Sequence, residues 1–224
     1  MKRGIKIGAA LAVTAGIAAG AIYGPQLWAG YQFMEVVDQQ SQAYKANGGP
    51  WPQLQDTCIL CHGQNGQSQN TQYPALAGLS ASYIESQLHA FAQGDRPSPP
   101  MASIARRLTD EDIEMLAAFY ERQTPVMPET VADNTATLEQ GKRLVADKGC
   151  VTCHGDQLQG SPIAPRLAGQ SEMYLADQMI AFKQGDRKDP TQAMNGLAQT
   201  LSDDDIKAAA YYLAHTPPPN ADGK

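Results

Sequence analysis

All four cysteines of this 224-residue chain fall in two copies of one pattern, Cys58-Ile-Leu-Cys61-His62 and Cys150-Val-Thr-Cys153-His154. Three chemistries use such pairs. A disulfide within C-x-x-C closes a very short loop and constrains little of the unfolded chain. The redox-active form of the same disulfide chemistry, of thioredoxin type, needs a βαβ context that the hydrophobic patterning does not offer. A four-cysteine zinc site wants its pairs roughly 15–20 residues apart, whereas Cys61 and Cys150 are separated by 89 positions. The third chemistry is covalent haem. C-x-x-C-H is the c-type attachment sequence: two thiols reach the two vinyl groups of one porphyrin, and the adjacent histidine is carried under the iron. The pattern assigns one haem c to Cys58 and Cys61 with His62 on its iron, and a second to Cys150 and Cys153 with His154 on its iron.

A sixth ligand decides what such an iron does, because a five-coordinate iron is open to substrate and a six-coordinate one mostly moves electrons. The chain has only four histidines. Two are used, and His89 and His215 do not recur at matched places, which suits surface or helix-end positions. Met101 follows His62 by 39 residues and Met194 follows His154 by 40. Both stand seven residues before a leucine, Leu108 or Leu201. Matched placement points to Met101 and Met194 as iron ligands; Met115, Met127, Met173 and Met179 have no counterpart and read as filler.

These residues are positioned by a repeated unit. Leu76-Ala77-Gly78 pairs with Leu167-Ala168-Gly169, Tyr83 with Tyr174, Gln87 with Gln178, Phe91 with Phe182, and Gly94-Asp95-Arg96 with Gly185-Asp186-Arg187. Two copies are too few for a solenoid, so each is an autonomous small domain. Each reads as helical. Thr109 caps a helix with acidic residues in its first turn, and Ile113, Leu116, Ala117 and Tyr120 follow at core-facing spacing. Ser202 repeats the cap. Ser80–Gln93 and Ser171–Gln184 suit helices stopped by glycine, and no segment alternates with a period of two. The fold class is all-α. Domains of this size lack core and gain from a cofactor.

A formal charge of −6, with no basic cluster beyond the extreme N-terminus, argues against nucleic acid. Lys2, Arg3 and Lys6 precede an uncharged run that lasts to Glu35, with Ile7–Ile22 apolar or small throughout. A positive start followed by such a run directs export. It is long enough for a membrane span, and Tyr23, Trp28 and Tyr31 stand where an interfacial belt would lie. Ala19-Gly20-Ala21 offers a cleavage site instead. The expected organisation is a signal-anchor or transmembrane helix at 1–34, a first domain at 35–123, a linker at 124–135, a second domain at 136–216, and a disordered tail at 217–224.

C-x-x-C-H, then P-x-L-A-G, a Tyr and Gln on a helix, G-D-R, and a Met before L-T-D-E-D or L-S-D-D-D together resemble class I cytochrome c domains. Two in tandem resemble the dihaem cytochrome c4 family, over about residues 55–215. The resemblance implies two helical cytochrome c folds facing each other with their haems near the interface. It implies electron shuttling from a quinol-oxidising complex of cytochrome bc1 type to a terminal oxidase, with no small-molecule substrate. It implies that Pro74 and Pro165 offer their carbonyls to the proximal histidines. It leaves Arg96 and Arg187 either to pair with haem propionates or to form surface salt bridges. Two departures stand out. Gly141 suits a close helix crossing in the second copy, but Gly-Gly-Pro-Trp-Pro breaks any helix just before the first haem site. The anchor is the other departure, since many family members are soluble. The expected place is the periplasmic side of the inner membrane, either tethered by the N-terminal helix or free after cleavage. A carrier is the main expectation; a fixed subunit of a membrane oxidase or dehydrogenase complex is the alternative, and a dihaem peroxidase, which needs an open iron, a further one.

Overall fold

The computed structural model describes residues 2–46, 53–127 and 132–219, with side chains described from residue 20 to residue 43 in the first helix. Two compact units result, Met1–Lys45 and Ala46–Lys224.

The first unit is one helix, α1 (Lys2–Ala46), with Pro25 inside it. Ile22, Leu27, Trp28 and Phe33 on it are exposed. The expected membrane anchor finds no support here: among the described residues no helix is long and apolar enough to cross a membrane. The described stretch interrupts its apolar side chains with Gln26, Gln32, Glu35, Asp38 and Gln39, whose burial in hydrocarbon is costly. Side chains of most of the run Ile7–Ile22 lie outside the described residues.

The second unit is the repeat. In the first copy, α2 (Ile59–His62) is the turn that Cys58 caps and that carries Cys61 and His62. It is followed by α3 (Ala81–Gln93), α4 (Pro99–Ala105) and α5 (Asp110–Glu121). The second copy begins with α6 (Thr135–Asp147), then α7 (Val151–His154), α8 (Glu172–Gln184), α9 (Ala193–Gln199) and α10 (Asp203–His215). Among the described residues the only β-pairing is one isolated bridge between Ser161 and Ala164.

Local chemistry sets these boundaries. Thr109 and Ser202 each accept a hydrogen bond from the backbone N–H three residues on, and the Asp112 and Asp205 carboxylates accept one in turn from the cap residue's own N–H, a reciprocal pair that satisfies two orphan donors. Gly94 and Gly185 end α3 and α8 in the left-handed conformation at φ 87° and 80°. Helix α3 packs on α4 and α5, and α10 packs on α6 and α8. At the α6–α10 crossing Gly141 has no room for a side chain: an added Cβ would run into the Ala208 carbonyl and lie 2.6 Å from the Tyr212 Cβ.

Among the described residues the first copy has no helix of the α6 kind within this unit. Directly before Cys58 the chain forms a 3-10 turn, Leu54–Thr57, instead. The Gly-Gly-Pro-Trp-Pro stretch, residues 48–52, lies outside the described residues. Of the segment expected to be a disordered tail, Pro218 is buried and sits against Gly169 as Pro125 sits against Gly78; residues 220–224 lie outside those described.

Candidate functional site

Each C-x-x-C-H forms a single helical turn. His62 N–H donates to the Cys58 carbonyl at 2.9 Å, and His154 N–H to the Cys150 carbonyl at 3.1 Å. The first cysteine, second cysteine and histidine therefore stand at i, i+3 and i+4, on one face. None of the four cysteines is paired in a disulfide.

The histidines are the most constrained members. His62 is 7% exposed and His154 6%. The His62 Nδ1 lies 2.9 Å from the Pro74 carbonyl oxygen and the His154 Nδ1 lies 2.7 Å from that of Pro165. A carbonyl can only accept, so Nδ1 carries the proton and donates it. Burial pushes both imidazoles below their ordinary value, against the upward pull of the carbonyl. A neutral ring with its proton fixed at Nδ1 presents the Nε2 lone pair, which is what a metal-bound histidine requires. Two thiols and such a nitrogen on one turn fit a c-type haem.

The loop that brings each proline into place is itself repeated. Gly66 carbonyl accepts from Leu76 and Ala77 N–H at 2.8 and 3.2 Å, and Leu158 carbonyl accepts from Leu167 and Ala168 at 2.9 and 3.2 Å. Met101 lies on α4 and packs, partly buried, against the same core cluster as Cys58, Leu76 and Tyr83. Met194 lies at the matching place on α9 and is half-buried. His215 donates from Nδ1 to the Tyr211 carbonyl of its own helix at 2.8 Å, the expected helix-end role.

Arg96 and Arg187 depart from the surface salt bridge. They are 8% and 7% exposed, and they meet at the seam between the two copies. Arg96 donates to Gln87 of its own copy at 2.8 Å, and to Tyr174 and Gln178 of the other at 2.8 and 2.9 Å. Arg187 mirrors it, donating to Gln178 at 2.7 Å, Tyr83 at 3.0 Å and Gln87 at 2.9 Å. Each guanidinium also stacks over its own phenylalanine, Phe91 or Phe182, with 4.5 Å to the ring centroid. Two like charges with neutral partners make the seam electropositive.

Sequence reasoning missed two further seam residues. Gln170 pairs with the Ala75 backbone across the seam, accepting from its N–H at 2.8 Å and donating to its carbonyl at 2.9 Å. Arg166 is 3% exposed and donates to the Ala77 carbonyl of the first copy at 3.0 Å and to the Ala168 carbonyl of its own. The available signal was divergence within the repeat: the first copy has Ala75 and Leu79 where the second has Arg166 and Gln170.

The cytochrome c family model matches this chain twice, at residues 52–122 and 138–217. Cytochrome c4 of Pseudomonas aeruginosa is 32% identical over 164 residues, covering 70% of this chain and 82% of that protein. The chain belongs to the dihaem cytochrome c4 family. A thiosulfate dehydrogenase electron acceptor of Stutzerimonas stutzeri is also similar, 34% identical over 192 residues, 81% of this chain and 88% of that one. Among solved structures, reduced recombinant cytochrome c4 from Pseudomonas stutzeri matches with a TM-score of 0.67 and 29% identity over 72% of this chain and 94% of that chain. This dihaem cytochrome is thus an electron-transfer protein made of two tandem cytochrome c domains. It carries covalently bound haem c, for which the pairs Cys58/Cys61 and Cys150/Cys153 fit the attachment pattern.

Proposed function

We propose that this cytochrome carries one electron on each of two closed haem sites, in the periplasmic respiratory chain, and performs no catalysis of its own. The observation that supports it most is the duplicated Nδ1–H to proline carbonyl bond, which leaves Nε2 of His62 and His154 as ligating nitrogens. Met101 and Met194 would supply the sixth ligands, and an iron so held would keep no position open for peroxide or another substrate. Each haem supplies one-electron ferric–ferrous chemistry. The chain's part is to hold it: the thiols of Cys58, Cys61, Cys150 and Cys153 attach it, Pro74 and Pro165 fix the imidazole planes, and the thioethers favour the ferrous state. Arg96 and Arg187 offer the seam's positive charge to haem propionates, which would provide the anions their neutral partners do not.

The electron donor is a quinol-oxidising complex of cytochrome bc1 type and the acceptor a terminal oxidase. The similarity to a thiosulfate dehydrogenase electron acceptor favours a thiosulfate dehydrogenase as a second donor. The test is anaerobic stopped-flow mixing of the oxidised holoprotein with each donor, followed by exposure to oxidase-containing membranes. Uptake of two electrons per chain and rapid reoxidation by the membranes are expected. Turnover of hydrogen peroxide at a peroxidase's rate, or no electron uptake from either donor, would remove the carrier reading.

A further inference from the structure

Arg166 has no counterpart in the first copy, where Ala75 stands, yet its guanidinium touches both copies. Nη2 donates to Ala77 and Nη1 to Ala168, and these two alanines occupy the same place in the repeat, three residues after Pro74 and Pro165 respectively. A group that bonds equivalent carbonyls of two repeats lies at the axis relating them. The carbonyls of those same prolines hold His62 and His154. One cation is therefore flanked on each side by the loop that orients a proximal histidine.

That cation is poorly compensated. The side chain is 3% exposed, its Nε has no hydrogen-bond partner among the described residues, and its two acceptors there are neutral carbonyls. Burial lowers its pKa to about 10, which still leaves it charged at neutral pH.

We propose that Arg166 is a shared electrostatic tuner: a single buried cation that raises the reduction potentials of both haems together. A nearby positive charge disfavours the more positive, ferric state, and low-dielectric surroundings leave that effect little screened. Placement between equivalent carbonyls divides it between the two sites. The proposal rests on the haem-site reading above. It adds that a side chain present in only one repeat acts on both, so the second domain governs the driving force at the first. Gln170 holds the same seam without charge, through the Ala75 backbone.

The experiment is a spectroelectrochemical titration of the holoprotein and of three variants, Arg166→Met, Arg166→Lys and Gln170→Leu. Haem content and the red-region band of methionine-bound ferric haem are read on every sample, so lost ligation registers as failure of the haem-site reading and not of this one. The expected result is that Arg166→Met raises the ferric-to-ferrous ratio at fixed poise several-fold at both haems, tenfold corresponding to about 59 mV for a one-electron couple. Arg166→Lys and Gln170→Leu leave both midpoints near those of the parent. If Arg166→Met does not assemble, Arg166→Gln makes the same neutralisation and is read the same way. A shift at one haem alone, or at neither, overturns the shared role. So does an equal shift in Arg166→Lys or Gln170→Leu, which would assign the effect to seam geometry.

Discussion

Arg96 donates to the hydroxyl of Tyr174, in the other copy of the repeat, at 2.8 Å. Its mirror, Arg187 to Tyr83, spans 3.0 Å, so the seam is closed by the same bond made twice in opposite directions. Hydrogen bonds to a charged donor contribute about 1.5–3 kcal/mol when buried. Tyr174→Phe and Tyr83→Phe are each expected to lower unfolding stability by about that amount. The double variant is expected to depart from additivity, because Gln87 and Gln178 each accept from both guanidiniums. Denaturant unfolding of the holoproteins measures this; a loss below about 0.5 kcal/mol in both single variants would show the hydroxyls to be incidental.

Gly141→Ala is expected to cost more than helix propensity would return. Alanine favours a helix by about 1 kcal/mol over glycine, but the added methyl meets the Ala208 carbonyl and the Tyr212 Cβ at the α6–α10 crossing. Forced separation of packed helices costs about 1–3 kcal/mol or more. A thermal melt should therefore show net destabilisation, and an unchanged or higher melting temperature would mean that the helices slide apart freely.

Met101→Ala and Met194→Ala should each open one site. In either variant the red-region ferric band falls by half, and carbon monoxide binds one of the two reduced haems. Potentials at the altered haem fall, since the thioether favours ferrous iron. Retention of the full band in either variant would remove that methionine from the ligand set.

The last helix carries an acid-sensitive cap. The Asp205 carboxyl is held below its ordinary range by the Ser202 side chain and backbone N–H. A carboxylate depressed in the folded state contributes stability that is fully present above its unfolded value, about 3.9, and is lost as pH falls through the folded one. Ser202→Ala should lower the melting temperature by a few degrees at neutral pH, with the gap to the parent narrowing below pH ~4. A gap that persists undiminished into strong acid would assign the cap's effect to the hydroxyl alone.

Much of this was legible in the sequence because the repeat doubles every signal. The Thr109 and Ser202 caps, the glycine stops at Gly94 and Gly185, and Gly141 at the crossing are local features whose chemistry is carried by one or a few residues. The seam was not legible. Arg96 and Arg187 read equally well as surface residues, since burial of a charge by neutral Gln and Tyr of another copy leaves no local pattern. Arg166 and Gln170 were hidden for the opposite reason: a comparison that looks for matches passes over the positions where the copies differ. The anchor expected from the N-terminal run finds no support among the described residues, where glutamines break up the apolar side chains that the missing charges suggested; most of Ile7–Ile22 lies outside them.

The central claim is that both irons are closed by methionine. The most direct measurement is a redox-titrated optical spectrum of the purified holoprotein, with and without carbon monoxide. The account predicts a red-region ferric band of full two-haem intensity and a reduced spectrum that carbon monoxide leaves unchanged. A haem that lacks the band and binds carbon monoxide readily would contradict it, and would mark that domain as a site for small-molecule chemistry.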